Sequence, residues 1–193
     1  MRVRHKVINV SPHRSGTKSV TVFAAAHGLK ALHWKRVIEK QLADCGDCPD
    51  AIWGRVRSHL DAVDVASDLP WPIVARHAAA EMPDARFLLL RREAAAWVAS
   101  VRRLAGGTRL SGVGRAFYRV LCGREVDRLE HVSDRQLGAD YERFCDDMAK
   151  ALGDRLTVGR LDDPDVGQVV ASALGVEMTV PFPCVTAPLP GPV

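Results

Sequence analysis

Apolar residues in this chain fall into two alternating patterns. Short β-branched runs read as buried strands, and longer stretches with apolar positions three and four apart read as helices. Residues 6–10 (Lys-Val-Ile-Asn-Val) form the first such run. Residues 11–16 carry turn chemistry, and the spacing then predicts a helix over 17–27 closed by Gly28 as a C-terminal cap. Residues 29–34 read as a short strand or a turn leading into a helix over 35–43, and 44–50 as a loop. A second strand is expected at 62–66, with a helix near 72–81 whose Pro72 sits harmlessly in the first turn. A third strand, 86–90, ends in Arg91 and Arg92 and feeds a helix over 93–104 that Gly106 and Gly107 break. Residues 109–152 keep helical spacing around Phe117, Val120, Leu121, Phe144, Met148 and Leu152. A fourth strand at 156–158, a helix at 166–174 and a proline-rich, extended tail from Val180, with Phe182 packed on the body, complete the pattern.

Strands alternating with helices imply an α/β fold of three layers, α/β/α, with a central parallel sheet of about four strands. Ligands in such sheets bind beyond the carboxyl ends of the strands. The length of 193 residues suits one domain, with an α/β core over 1–104 and a mostly helical half, including the tail, over 105–193.

Composition narrows the class. Hydrophobic residues at 47% and charged residues at 26% describe a globular protein with a proper core. The net charge of +4 is modest and spread along the chain, which fits an anionic small molecule as well as nucleic acid and decides for neither. The apolar runs fall well short of the ~20 residues a membrane span requires. Pro12, His13 and Arg14 interrupt the stretch after the basic N-terminus, which argues against a signal peptide and for a cytoplasmic protein with its five cysteines reduced. Cys45 and Cys48 form one CxxC pair; without further ligand types nearby it reads as a loop holding no metal.

The chemistry-bearing residues stand at the expected strand ends. Ser11-Pro12-His13-Arg14-Ser15-Gly16-Thr17-Lys18-Ser19 runs from the first strand into the first helix. Unpaired N–H groups and the positive end of the helix dipole suit a phosphate there, and a lysine in the first turn is unfavourable unless an anion sits beside it. The nucleotide triphosphatase loop G-x-x-x-x-G-K-[ST] fails twice: Ser11 occupies the first glycine position, and Lys18 comes one residue late.

Arg14-Ser15-Gly16-Thr17-x-Ser19 behind a strand resembles the phosphosulfate-binding loop of sulfotransferases that use adenosine 3′-phosphate 5′-phosphosulfate (PAPS). Lys18 stands where that family usually has a second threonine. Arg92 and Ser100, eight residues apart, resemble the pair that grips the donor's 3′-phosphate, although Glu93 and Ala94 replace the usual Asp and Pro. Asp68-Leu69-Pro70 resembles the His-Leu-Pro of cytosolic members, with Asp68 where their catalytic histidine stands. His33-Trp34 and Pro181-Phe182-Pro183 are similar to segments of bacterial members, while the Arg-Lys-Gly element of cytosolic members is absent.

The resemblance implies a P-loop-NTPase-like sulfotransferase architecture and a bacterial, PAPS-dependent enzyme without a metal. It implies Arg14, Ser15, Gly16, Thr17, Lys18 and Ser19 at the 5′-phosphosulfate, and Arg92 and Ser100 at the 3′-phosphate. Arg14, Asp68 and His33 are the catalytic candidates, Asp68 or His33 taking the acceptor's proton. The acceptor would be a small molecule, glycan or lipid, with no nucleic-acid partner. A P-loop kinase acting on a small metabolite and a catalytically degenerate nucleotide-binding module are the competing readings.

Overall fold

The computed structural model describes residues 5–185 apart from Lys35, Ala43 and Gly106. The expected break at Gly106, the first four residues and the tail beyond Val185 therefore lie outside the described residues. Five strands, β1 (Val7–Asn9), β2 (Ala31–Leu32), β3 (Val65–Ala66), β4 (Arg86–Arg91) and β5 (Leu156–Arg160), form one parallel sheet in the order β2-β3-β1-β4-β5. The helices are α1 (Thr17–Ala26), α2 (Arg36–Gln41), α3 (Pro49–Val56), α4 (Trp71–Glu81), α5 (Ala94–Ala105), α6 (Gly112–Cys122), α7 (Asp134–Leu152) and α8 (Val166–Leu174).

The sheet is covered on both faces, as continuous apolar strands demand. Successive side chains alternate across the pleat. Phe87 and Leu89 of β4, with Ile8 of β1, join a large layer that includes Trp71 and Val74 of α4, Trp97 of α5, Phe117 of α6 and Tyr141 of α7. Leu88, Leu90 and Val7 turn to the other face, where Val20, Phe23 and Ala24 of α1 meet Val170, Ala171 and Leu174 of α8. The order places β1 at the centre, so the loop leaving it opens at the middle of the sheet's carboxyl edge.

The sequence reading needs three corrections. The sheet has five strands rather than about four, because the segment read as strand or turn does pair, Ala31 with Val65 and Leu32 with Ala66. Two residues are too few for a period-two pattern to register. The expected strand at 62–66 shortens to Val65–Ala66, with a 3₁₀ helix over Arg57–Ala62 before it. The loop read over 44–50 is cut short by α3, which starts at Pro49 and buries Ile52, Trp53 and Val56. Phe182 packs on the body as expected, its ring 5.5 Å from that of Phe23.

Candidate active site

A buried polar network anchors the loop after β1. Asn9, Ser11 and Ser67 are fully buried. The Asn9 side-chain amide donates to Ser67 Oγ at 2.9 Å, and its carbonyl oxygen accepts from the Ser11 backbone N–H at 3.0 Å and from the Ser11 hydroxyl. Ser11 Oγ in turn accepts from the Leu90 N–H at 2.7 Å, and the Ser67 hydroxyl donates to the Thr17 carbonyl at 2.9 Å. The ends of β1, β3 and β4 and the first turn of α1 are thus tied by side chains that water cannot replace. Buried polar groups satisfied in this way fix geometry.

The loop itself is bent into unusual backbone conformations. Arg14 (φ +69°) and Asp68 (φ +75°) are the non-glycine residues with positive φ among the described residues, and both line one cavity. A non-glycine residue held there costs of order 1–3 kcal/mol, and such residues gather at functional sites. Gly16, at φ +78°, precedes α1, and a Cβ added to it would lie 2.7 Å from Leu161 Cδ1. Its glycine is required by the positive φ of the turn; the nearby Leu161 methyl, at the end of a flexible side chain, can shift.

Arg14, Arg92 and Ser100 come together as their sequence positions suggested, in a different pairing. Arg14 Nε donates to Ser100 Oγ at 2.9 Å, and Arg92 Nη1 donates to the Arg14 carbonyl at 3.2 Å. Ser100 is buried beneath the arginine. Arg91, the neighbouring arginine, is taken by Glu142 and by Asp146 at 2.8 Å on α7. Arg92 faces the cavity. Glu93 caps α5, its carboxylate accepting from the N–H groups of Ala95 (2.9 Å) and Ala96 (2.6 Å), which accounts for an acidic residue at this position.

Two aromatic residues support the loop from beneath. Trp97 is fully buried and stacks on Tyr141 with ring centroids 4.5 Å apart. Trp97 Nε1 donates to the His13 carbonyl at 2.8 Å, and the Tyr141 hydroxyl accepts from the Arg92 N–H at 2.7 Å. The Ser15 hydroxyl is buried beside Tyr141 and has no well-formed hydrogen-bond partner among the described residues. His13 lies edge-on to Phe117 and Tyr118, its Nε2 2.8 Å from the Tyr118 hydroxyl. Burial, aided by the neighbouring Arg14 charge, lowers the His13 pKa to about 4, so its imidazole is neutral.

Asp68 and His33 meet on the wall of the same cavity. His33 Nε2 lies 3.3 Å from Asp68 Oδ2 and 3.5 Å from Thr17 Oγ1. Burial raises the Asp68 pKa, opposed first by the facing imidazole. Burial lowers that of His33, Asp68 opposing and Lys18 reinforcing the shift. Asp68 Oδ1 is buried without a partner among the described residues. The Asp68 side chain does not cap α4, whose capping residue is Pro70.

Arg14, Gly16, Thr17, Lys18 and Ser19 of the loop, with His33, Asp68 and Arg92, border a cavity of about 620 Å³, whereas Ser15 and Ser100 are buried and do not line it. The start of α1, Asp68, His33 and Arg92 all contribute to its wall. A family profile described as a sulfotransferase domain matches residues 6–185, nearly the whole chain. The chain belongs to the sulfotransferase-domain family. The fold of this sulfotransferase-family chain is similar to the crystal structure of a sulfotransferase from Alicyclobacillus acidocaldarius, with a TM-score of 0.56 at 16% identity, covering 97% of this chain and 87% of that one. The sulfotransferase domain of the Synechococcus PCC 7002 olefin synthase aligns over 91% of this chain and 74% of that one, at 16% identity and a TM-score of 0.49. No functionally curated protein matches the sequence.

Family membership supports sulfuryl-transfer activity. Leu104, Leu161, Asp162, Cys184 and Val185 also lie on the cavity wall of this sulfotransferase-domain chain; they carry no motif and were missed in the sequence. Only the burial pattern after β5 could have pointed to Leu161. Asp162 lies near enough to Arg92 to feel its charge, but its depressed pKa comes first from its own backbone N–H and from Arg160. Among the described residues no helix is long and apolar enough to cross a membrane, and no group of three or more His, Cys, Asp or Glu gathers as metal ligands would, Cys45 and Cys48 included.

Proposed function

We propose that the chain moves a sulfuryl group from PAPS to a hydroxyl or amine of a small-molecule, glycan or lipid acceptor. The observation that carries this reading is the convergence, in one cavity, of a cationic loop at a helix start, a second arginine and a buried carboxylate–imidazole pair. Arg92 would hold the 3′-phosphate through its fork of donors. The N–H groups at the start of α1, with Thr17, Lys18 and Ser19, would hold the 5′-phosphate. Ser100 would serve that end indirectly, by fixing the Arg14 guanidinium rather than by touching phosphate.

In the transfer, the acceptor oxygen or nitrogen forms a bond to sulfur as the bond from sulfur to the bridging phosphate oxygen breaks. Negative charge then grows on that bridging oxygen. Arg14 and the loop N–H groups stabilise it, and preorganised donors of this kind supply much of the acceleration in such reactions. The proton lost by the acceptor passes to the Asp68–His33 pair, which titrates as a unit because the two groups interact so closely. Burial keeps Asp68 a stronger base than a solvated carboxylate.

Thermal-shift titration with adenosine 3′,5′-bisphosphate (PAP), against ATP with Mg²⁺, tests the donor. PAP should raise the melting temperature without metal. A shift with ATP–Mg²⁺ alone would favour a kinase instead. Arg14→Ala should abolish transfer while the protein stays folded; full activity in that variant would remove Arg14 from the mechanism.

A further inference from the structure

The segment after α8 returns along α1 toward the donor loop. The Thr179 N–H donates to His27 Nε2 at 3.2 Å, beside the end of α1. The Phe182 ring lies 5.5 Å from that of Phe23, in the middle of the helix, and its Cβ sits where only Gly167 leaves room, 3.1 Å from where a Gly167 Cβ would be. The Val185 N–H donates to Ser19 Oγ at 3.2 Å, in the first turn. Three anchors in register thus lead the chain back to the phosphate end of the cavity, where Phe182, Pro183, Cys184 and Val185 form part of the wall.

The last anchor falls on a residue of the proposed phosphate site. A serine hydroxyl has one proton to give and two lone pairs to accept with. Accepting from Val185 therefore leaves the Ser19 O–H able to donate to a phosphate oxygen, and hydrogen bonds linked in such a chain polarise and strengthen one another. We infer that Pro181–Val185 is a strap that belongs to the donor site: donor phosphate and strap bind to opposite sides of the Ser19 hydroxyl, and each favours the other. This rests on the PAPS reading above. Linkage makes the coupling reciprocal, so whatever factor the donor adds to strap closure, the closed strap adds to donor affinity.

Cys184, exposed on the strap, reports its state, and Cys48, exposed outside the cavity, serves as an internal reference. The full-length protein is treated with a limiting thiol reagent, with and without PAP, and labelling at each cysteine is read by peptide mass spectrometry. PAP should slow labelling of Cys184 by at least about fivefold relative to Cys48. In full-length Val185→Pro, which lacks the N–H, saturating PAP should no longer slow labelling, and PAP should bind more weakly by a similar factor. Protection that persists in Val185→Pro would mean simple shielding by the nucleotide and would overturn the coupling. An unchanged or faster Cys184 rate, with PAP still raising the melting temperature, overturns the strap and leaves the donor reading standing. No effect of PAP on melting temperature or labelling overturns both.

Discussion

At the residue scale, the site is built on side chains whose charge states are set by burial. Asp68 and His33 face each other at 3.3 Å, both pushed toward their neutral forms. The transfer needs the pair ready to accept a proton, so kcat should rise with pH through an acid limb above the ordinary carboxylate value of ~3.9. Asp68→Asn and His33→Gln should each lower kcat by about 10²–10⁴-fold with little change in donor KM, measured by steady-state kinetics. Lys18 helps hold His33 neutral, so Lys18→Met should move the acid limb to higher pH as well as weakening donor binding. Stability carries opposite signs at two sites. A raised Asp68 pKa means its contribution is present at low pH and lost as pH rises through the folded value, so Asp68→Asn should melt higher than the wild type at pH 7. His13, lowered to about 4, works the other way. The unfolded chain takes up a proton below ~6.5, whereas the folded chain resists until about pH 4. Melting temperature should therefore fall as pH drops across that window, and His13→Gln should flatten the fall.

At the element scale, the loop between β1 and α1 is a strained segment held by its neighbours. Trp97 of α5 and Tyr141 of α7 grip the backbone at His13 and Arg92. Tyr141→Phe deletes one buried hydrogen bond and should cost about 1–3 kcal/mol in chemical denaturation. Arg14 should show the reverse trade: Arg14→Gly relieves the positive φ and should be more stable than Arg14→Ala by roughly 1 kcal/mol, with both inactive. Gly16→Ala meets Leu161 and should destabilise; Leu161→Ala added to it should recover the steric part alone. Much of this element was legible in the sequence. The run from strand to turn to helix, with Gly28 at its end, stands almost as read, because strand burial and helical spacing are local signals. Helix α3 was not, since it starts inside a polar loop, and two-residue β2, too short for periodicity, could be read only as a strand or a turn.

At the scale of the whole molecule, the five-stranded order with β1 central brings motifs from residues 14, 33, 68 and 92 to one edge. Their meeting was foreseeable from the rule that ligands bind at the carboxyl ends of parallel strands. Their pairing was not: Ser100 under Arg14, and Asp68 against His33, depend on how α5 and β2 pack, which no spacing encodes. The extended tail and the packing of Phe182 were read from the sequence, but its return to Ser19 was not, because a proline-rich tail has no periodic signal and its contacts with α1 are long-range.

The central claim is that this cavity holds a nucleotide with phosphates at both ends. Isothermal titration in magnesium-free buffer, with PAP and with adenosine 5′-monophosphate against the wild type and Arg92→Ala, tests it most directly. The account predicts that the wild type prefers PAP and that Arg92→Ala weakens PAP by about 10–100-fold while leaving the monophosphate nearly unchanged, the loss expected for a charge-assisted contact to phosphate. Equal affinity for the two nucleotides in the wild type, or equal losses in the variant, would contradict it.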